Sequence, residues 1–406
     1  GTNYPYGGWV SAMLDELRNV EGLELGVAMR APVASLAIER IDNVRFFAIP
    51  QHGAGGLDVR AEDCRAVLRD FRPDLLHIEG TECKHAHTFL SCWGGRNVVE
   101  LQGIINTHDN HQYGGLAIGR MLLSSSPRAA VVAAVMVLNK KLRFRPRLKI
   151  EAETMRMAQN FLGRTSWDRA HSRAFNPTAP YFRCNRILRS PFYEGEWDIA
   201  EVKRHSLFIG SAEKPMKGAH FVMQAAKYLE RDYPDLTIFV AGDSPFPDSW
   251  MDVKKQIGYA AYLRRLLTQL GLEHRVEFTG TLQADQMAER MRRSHAYALC
   301  STIENSPNTL GEAMLLGMPA VSSFVGGAPE MAHDGDEALF FRDNEPAMLA
   351  HQVKRIFDDD SLAMRLSRNA HRRAKITHDP HENLRALLSA YGTILENGEC
   401  AEGDYK

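Results

Sequence analysis

The stretch AYALCSTIENSPNTLGEAMLLGMPAV, residues 296–321, decides how the second half of the chain folds. Ala296 to Cys300 is a short apolar run of strand type. From Thr309 to Gly317 the apolar positions recur at the spacing of a buried helix, which stops at Gly317-Met318-Pro319. A polar loop that begins at Glu304 joins the two. Strand, polar loop and helix in that order are the repeating unit of a parallel sheet.

A helix entrance leaves its first backbone N–H groups unpaired and carries partial positive charge, so it holds a diphosphate without a dedicated cation. Asn308, Thr309 and Leu310 are the amides placed to do this. Glu304 sits on the loop before them, where a carboxylate accepts hydrogen bonds from sugar hydroxyls, and Glu312, one helical turn on, accepts from ribose hydroxyls. Taken alone, the pair reads equally well as a solvated loop glutamate and a first-turn glutamate stabilised by the helix dipole.

The surrounding motifs break that tie. Gly326-Gly327-Ala328-Pro329-Glu330 follows the next apolar strand, Lys217-Gly218 lies upstream, and Gly7-Gly8 precedes a helical stretch from Trp9 to Val20. In this order they resemble retaining glycosyltransferases of family 4 (glycosyl transferases group 1), of the polysaccharide-assembly type. The resemblance is strongest from His205 to Phe341, and the Arg-rich, aromatic segment from Gly163 to Trp197 extends it into an expected hinge. It implies an α/β GT-B fold: two doubly wound Rossmann-like domains, an interdomain crevice and a C-terminal crossover helix. The expected division is an acceptor-binding domain over 1–195, completed by a helix at about 381–406, and a nucleotide-sugar-binding domain over 196–380.

The resemblance further implies a hexosyl or N-acetylhexosaminyl transfer, with retention, from a nucleotide-diphosphate sugar to an acceptor hydroxyl, without cofactor or metal. Lys217 then meets the donor diphosphate and, with Glu304, carries catalysis. Ser211 stands where the family places an Arg, which removes one cation from the phosphate grip. Gln102 stands where many relatives place a His, so it contacts sugar without carrying a proton. Gly7 and Gly8 bring backbone close to the donor. His77 and Glu79, at the end of a strand, point toward the acceptor or sugar together with Gln102, and either reads equally as a satisfied core residue.

Strand-like runs at Leu23 to Ala28, Val44 to Ile49, Leu75 to Ile78 and Val98 to Leu101 alternate with helical segments such as Ala61 to Asp70. A second alternating series begins at Leu207. The resemblance leads to the expectation of a further strand before the glycine turn, which these residues do not supply. The chain has 406 residues, 44% apolar and 24% charged, which is ordinary globular usage and more than one core serves. Six cysteines without a Cys-x-x-Cys pair read as free thiols of a reducing cytosol. No leader and no membrane-length apolar run is expected, the longest being Ala129 to Leu138.

Residues 1–195 hold 25 Lys and Arg against 19 Asp and Glu, and Lys140, Lys141, Arg143, Arg145, Arg147 and Lys149 make up much of that excess. An apolar helix followed by such a cluster fits an anionic membrane surface over residues 129–149, and so a lipid-linked saccharide acceptor at the inner face of a membrane. It fits a buried helix with a charged, solvated end equally well. No nucleic-acid motif accompanies the patch.

Cys83-x-His85-x-His87, His108-x2-His111 and Asp358-Asp359-Asp360 contain metal-ligand types, but their spacing does not match a structural zinc site, and the acidic triplet is placed to cap a helix. No Gly-x-Gly-x-x-Gly fingerprint supports a dehydrogenase. A nucleotide-sugar epimerase of the same shape, or a non-catalytic sugar-nucleotide or membrane-binding subunit, are the alternative readings.

Overall fold

The computed structural model describes residues 8–53, 58–117, 145–247 and 258–396, with Lys255 and a few positions between 131 and 144. Gly7 falls outside these. The chain divides into two compact units, one of residues 1–106, 142–187 and 378–406, the other of 107–141 and 188–377. Relative to the boundary expected from sequence, 107–141 and 188–195 lie with the second unit.

In the first unit, helix α1 (Gly8–Leu17) precedes a three-stranded sheet. In it β1 (Leu25–Ala31) pairs parallel with β3 (Val44–Pro50), and β3 pairs antiparallel with β2 (Ala37–Ile41). A second sheet runs β4 (Leu75–Glu79), β5 (Arg96–Glu100), β6 (Phe161–Gly163), β7 (Tyr181–Arg183), parallel throughout. Helices α2 (Ala61–Phe71), α3 (Lys84–Cys92), the short α4 (Ile105–His108), α5 (Arg145–Met157) and α6 (Ser166–Phe175) connect these strands. The Thr165 hydroxyl accepts from the Asp168 amide to start α6, and Asp168 returns the favour at the Thr165 amide, a reciprocal cap. The final helix of the chain, Pro380–Glu396, buries Leu387, Ala390 and Ile394 with Leu17, Val98 and Leu162 of this unit.

The second unit holds one six-stranded parallel sheet in the order β10-β9-β8-β11-β12-β13: β8 is Lys203–Ile209, β9 Thr237–Val240, β10 Val276–Phe278, β11 Ser294–Leu299, β12 Ala320–Ser323 and β13 Leu339–Phe341. Every residue of β11 is buried, as a central strand covered on both faces requires. Between the strands run α7 (Ala219–Leu229), α8 (Gly258–Leu270), α9 (Ala284–Arg292), α10 (Asn308–Leu315) and the one-turn α11 (Ala328–Met331), followed by α12 (Pro346–Asp358) and α13 (Asp360–Thr377). Helix α10 buries Leu310, Ala313, Met314 and Leu315 under the sheet. Each such leucine contributes about 1.5–3 kcal/mol of burial, so the start of α10 is fixed in place by its own core face.

Asp359, of the acidic triplet, accepts from the amides of Ser361 at 2.9 Å and Leu362 at 3.0 Å, which is the helix-starting role its position suggested. The five described cysteines are unbridged. Among the described residues no helix is long and apolar enough to cross a membrane.

Candidate functional site

In the second sheet β8 and β11 are neighbours, yet the chain leaves β8 toward β9 on one side and β11 toward β12 on the other. The two outgoing loops therefore part, and a crevice opens at the carboxyl ends of these strands, where ligands of open α/β sheets bind. The cavity found there encloses about 80 Å³ and is lined by Gly210, Ser211, Lys217, Ser301, Glu304 and Thr309.

Two glycines bring its walls together. Lys217 ends a one-turn helix over Pro215–Lys217, and Gly218 follows with φ 72°. A Cβ on Gly218 would fall 1.8 Å from the Cys300 carbonyl oxygen, so only glycine lets this turn lie against the end of β11. The Thr302 amide then donates to the Met216 carbonyl at 2.8 Å. On the opposite side Gly326 has φ 52°, and a Cβ there would lie 1.7 Å from the Glu304 carbonyl, which accepts from the Gly327 amide at 3.2 Å. The Lys-Gly pair and the Gly-Gly turn thus clamp the Glu304 loop from both sides.

Inside the clamp, Lys217 Nζ is paired with Glu304 Oε1, and the Ser301 hydroxyl donates to the same oxygen at 2.6 Å. The Ser301 carbonyl accepts from the Ser323 hydroxyl at 2.7 Å, which ties the loop to the end of β12. Lys217 keeps 37% of its side chain exposed and Glu304 13%, so the ammonium faces the opening while the carboxylate forms the floor. Thr309 accepts from the buried Tyr297 hydroxyl at 2.8 Å, fixing the first turn of α10 beside Gly210.

Two expected donor contacts, Leu310 and Glu312, stand differently. The Leu310 amide donates to the Pro307 carbonyl at 3.0 Å, and Leu310 is fully buried, so Asn308 and Thr309 alone keep amides without an acceptor inside the helix. Glu312 is 2% exposed and receives Arg189 Nε at 2.7 Å and Arg189 Nη2 at 2.8 Å, one on each carboxylate oxygen. Burial raises the Glu312 pKa while Arg189 pulls against it, and both oxygens are committed to holding α10 rather than to a ribose. Ser211 lines the cavity, and its hydroxyl accepts from the Glu213 amide at 3.4 Å.

A further group at this site escaped sequence reasoning. Residues 107–117 lie with the second unit, and His220, in the first turn of α7 just after Lys217-Gly218, donates from Nε2 to the Gly114 carbonyl at 3.0 Å. This segment carries His108, which feels the charges of Glu304, Lys217 and Lys214 and whose pKa is pushed down to about 4, chiefly by burial. A neutral imidazole therefore stands near the Lys217–Glu304 pair. Its sequence signal, His108-x2-His111, reads only as a metal-ligand pair, and one whose spacing does not fit a zinc site.

In the first unit, His77, Glu79 and Gln102 do come together at the carboxyl ends of β4 and β5, inside a charged network. Gln102 Nε2 donates to Glu79 Oε2 at 2.7 Å, and Arg186 reaches Glu79 at 3.3 Å and Glu100 at 2.7 Å. Arg164 reaches the same Glu100 oxygen, Oε1, at 3.0 Å, and His77 Nε2 lies 3.4 Å from the other, Oε2. Burial works against the charge on Glu100, but Arg186, His77 and Arg164 together hold its carboxyl well below the usual range. His77 Nδ1 meets the hydroxyl of Tyr391, from the last helix, at 2.6 Å. His77, Glu79 and Glu100 are spaced as a metal could accept, yet two guanidinium groups already supply their countercharge.

Residues 191–373 match the family described as Glycosyl transferases group 1. The chain is 26% identical over 198 residues, 48% of its length, to a protein of Bacillus subtilis (strain 168) named putative glycosyltransferase YtcC, and the match covers 46% of that protein. The chain thus spans just under half the length of the curated relatives it matches. Among solved structures it is similar to sucrose-phosphate synthase from Thermosynechococcus elongatus, with TM-score 0.68 and 14% identity over 96% of this chain and 92% of that one. Similar too is Anabaena Alr3699/HepE in complex with UDP and glucose, with TM-score 0.68 and 15% identity over 97% of both chains.

Proposed function

We propose that this chain, whose residues 191–373 carry the Glycosyl transferases group 1 domain and whose fold is GT-B, is a retaining glycosyltransferase. It moves a sugar from a nucleotide-diphosphate donor to an acceptor hydroxyl. The carrying observation is the meeting of Lys217 and Glu304 at the point where β8 and β11 part, beside the two unpaired amides that start α10.

The donor diphosphate enters against Lys217 and the amides of Asn308 and Thr309, and the ammonium shifts from Glu304 toward the phosphate oxygens. Glu304, braced by Ser301, accepts hydrogen bonds from hydroxyls of the transferred sugar. The bond from the anomeric carbon to the phosphate oxygen breaks, and the acceptor oxygen bonds the same face of that carbon. The acceptor proton passes to the departing phosphate oxygen. Lys217 and the helix amides stabilise the charge that develops there, the largest single term open to such a site. In this reading the reaction runs on protein charge without metal or cofactor. Because the HepE structure holds UDP and glucose, a UDP-sugar is the first donor to test.

The acceptor proposed is a saccharide, carried on lipid or on a cell-envelope polysaccharide, and His77, Glu79 and Gln102 are proposed to contact it. Val131, Val135 and Leu138, spaced as one helical face, are 64%, 48% and 53% exposed, which supports a membrane-facing segment ahead of Arg145 and Lys149.

A thermal-shift panel of UDP-, GDP- and ADP-sugars tests the donor assignment, since a ligand bound only by the native state raises the melting temperature. One nucleotide class stabilises the wild type and leaves Lys217→Ala unchanged. Stabilisation by none, or equal stabilisation of both proteins, contradicts the reading.

A further inference from the structure

Two strands along from the Lys217–Glu304 pair, the carboxyl ends of β12 and β13 form an open groove of about 490 Å³ that includes Phe324, Asp334, Phe340, Arg342 and Asp343. Its volume is in the range of small-molecule sites. Phe324 follows a wholly buried strand yet is itself 63% exposed. It is also held still: its amide donates to the Phe341 carbonyl at 2.8 Å, and its ring meets Phe340 edge-on, with centroids 5.8 Å apart. A rigid aromatic face left in water costs apolar exposure that a partner with an apolar face of its own removes.

The rim around that ring is polar. Arg342 is exposed and Asp343 half-buried, so a guanidinium donor and a carboxylate acceptor flank it. Asp334 already accepts from the Phe340 amide at 2.8 Å. Hydroxyls, which both donate and accept, match such a mixed rim. A phosphate does not, because two carboxylates face a single cation. Phe324 is linked to the cradle through hydrogen bonds already described: it adjoins Ser323, whose hydroxyl donates to the Ser301 carbonyl, and the Ser301 hydroxyl donates to Glu304.

We propose that this groove is a saccharide subsite, in which one ring of a neutral oligosaccharide stacks on Phe324 while Arg342 and Asp343 hydrogen-bond its hydroxyls. It deepens the transferase reading and rests on it in one respect only, that the bound saccharide is the acceptor. Neighbouring strands are spaced about 4.8 Å apart, so the groove lies roughly 5–10 Å from the cradle, about one or two sugar rings away.

The test is saturation-transfer NMR on the full chain with maltotriose, cellotriose and chitotriose, beside Phe324→Ala, Phe324→Trp and Lys217→Ala. At least one trisaccharide binds the wild type, Phe324→Trp and Lys217→Ala. Phe324→Ala weakens that binding about tenfold, the effect of losing one stacking contact. Because Phe324 is exposed, its loss leaves the melting temperature and the UDP-sugar thermal shift as they were. Failure of all three sugars to bind the wild type, or equal binding by Phe324→Ala, overturns the subsite. Binding lost in Lys217→Ala but kept in Phe324→Ala overturns it too, because it places the sugar in the cradle. The donor thermal shift is read separately, so the failure of one proposal is distinguishable from that of the other.

Discussion

The His220 imidazole has only one tautomer open to it. Its Nε2 faces the Gly114 carbonyl, which can only accept, so the proton is there, and Nδ1 accepts from the Tyr259 hydroxyl at 2.9 Å. Burial pushes the His220 pKa down to about 4, against about 6.5 in the unfolded chain. A depressed histidine contributes stability that is fully present above the unfolded value and is lost as pH falls toward the folded one. This group therefore removes about 3 kcal/mol between pH 6.5 and pH 4. An NMR titration of His220 gives a midpoint near 4, and a midpoint near 6.5 contradicts the buried tautomer. At the cradle, Lys217→Ala and Glu304→Gln each lower turnover about 100-fold, with a fall in melting temperature of no more than about 3 °C. Steady-state kinetics beside a melting curve decide this, and unchanged turnover in folded protein removes both residues from the mechanism. Lys217, Glu304 and Thr309 line one cavity, and short-range motif spacing is what brings their juxtaposition within reach of the sequence. Glu312 is occupied by Arg189, remote in sequence, and the Leu310 amide by a tightened first turn bonded back to Pro307, and motif spacing marks neither.

Helix α10 depends on one buried ion pair. Arg189→Ala leaves the Glu312 carboxylate buried without its partner, which costs about 3 kcal/mol, whereas Arg189→Met with Glu312→Leu recovers most of that stability. Urea unfolding measures both. If Arg189→Ala is as stable as the wild type, Glu312 is available to a ligand after all. At this scale the buried parallel strands and their helices could be read from periodicity, since β11 and α10 are apolar where they must pack. Strand β2 could not: Ala37–Ile41 is an edge strand, mostly exposed, whose polar residues hide its pairing with β3. The short β6 and β7, three residues each, carry too little pattern to be seen before their neighbours are known.

The second unit's six parallel strands place the loops that carry its motifs at one end of a single sheet. The alternation of strand and helix gave that architecture away. The separation of the first unit's strands into two sheets was hidden, because it depends on which strands pair rather than on where strands occur. The basic cluster makes its prediction for the whole protein. Vesicles containing phosphatidylglycerol sediment it at low salt and phosphatidylcholine vesicles do not, and reversing Arg145 and Lys149 to Glu weakens binding by at least about 1 kcal/mol per residue. Equal partition to both vesicle types removes the membrane from the account. A crystal structure with the nucleoside diphosphate that gives the largest thermal shift decides whether the cradle holds the donor. The β-phosphate is expected within about 3 Å of Lys217 Nζ and of the Asn308 and Thr309 amides. A diphosphate bound elsewhere, with Lys217 still paired to Glu304, contradicts it.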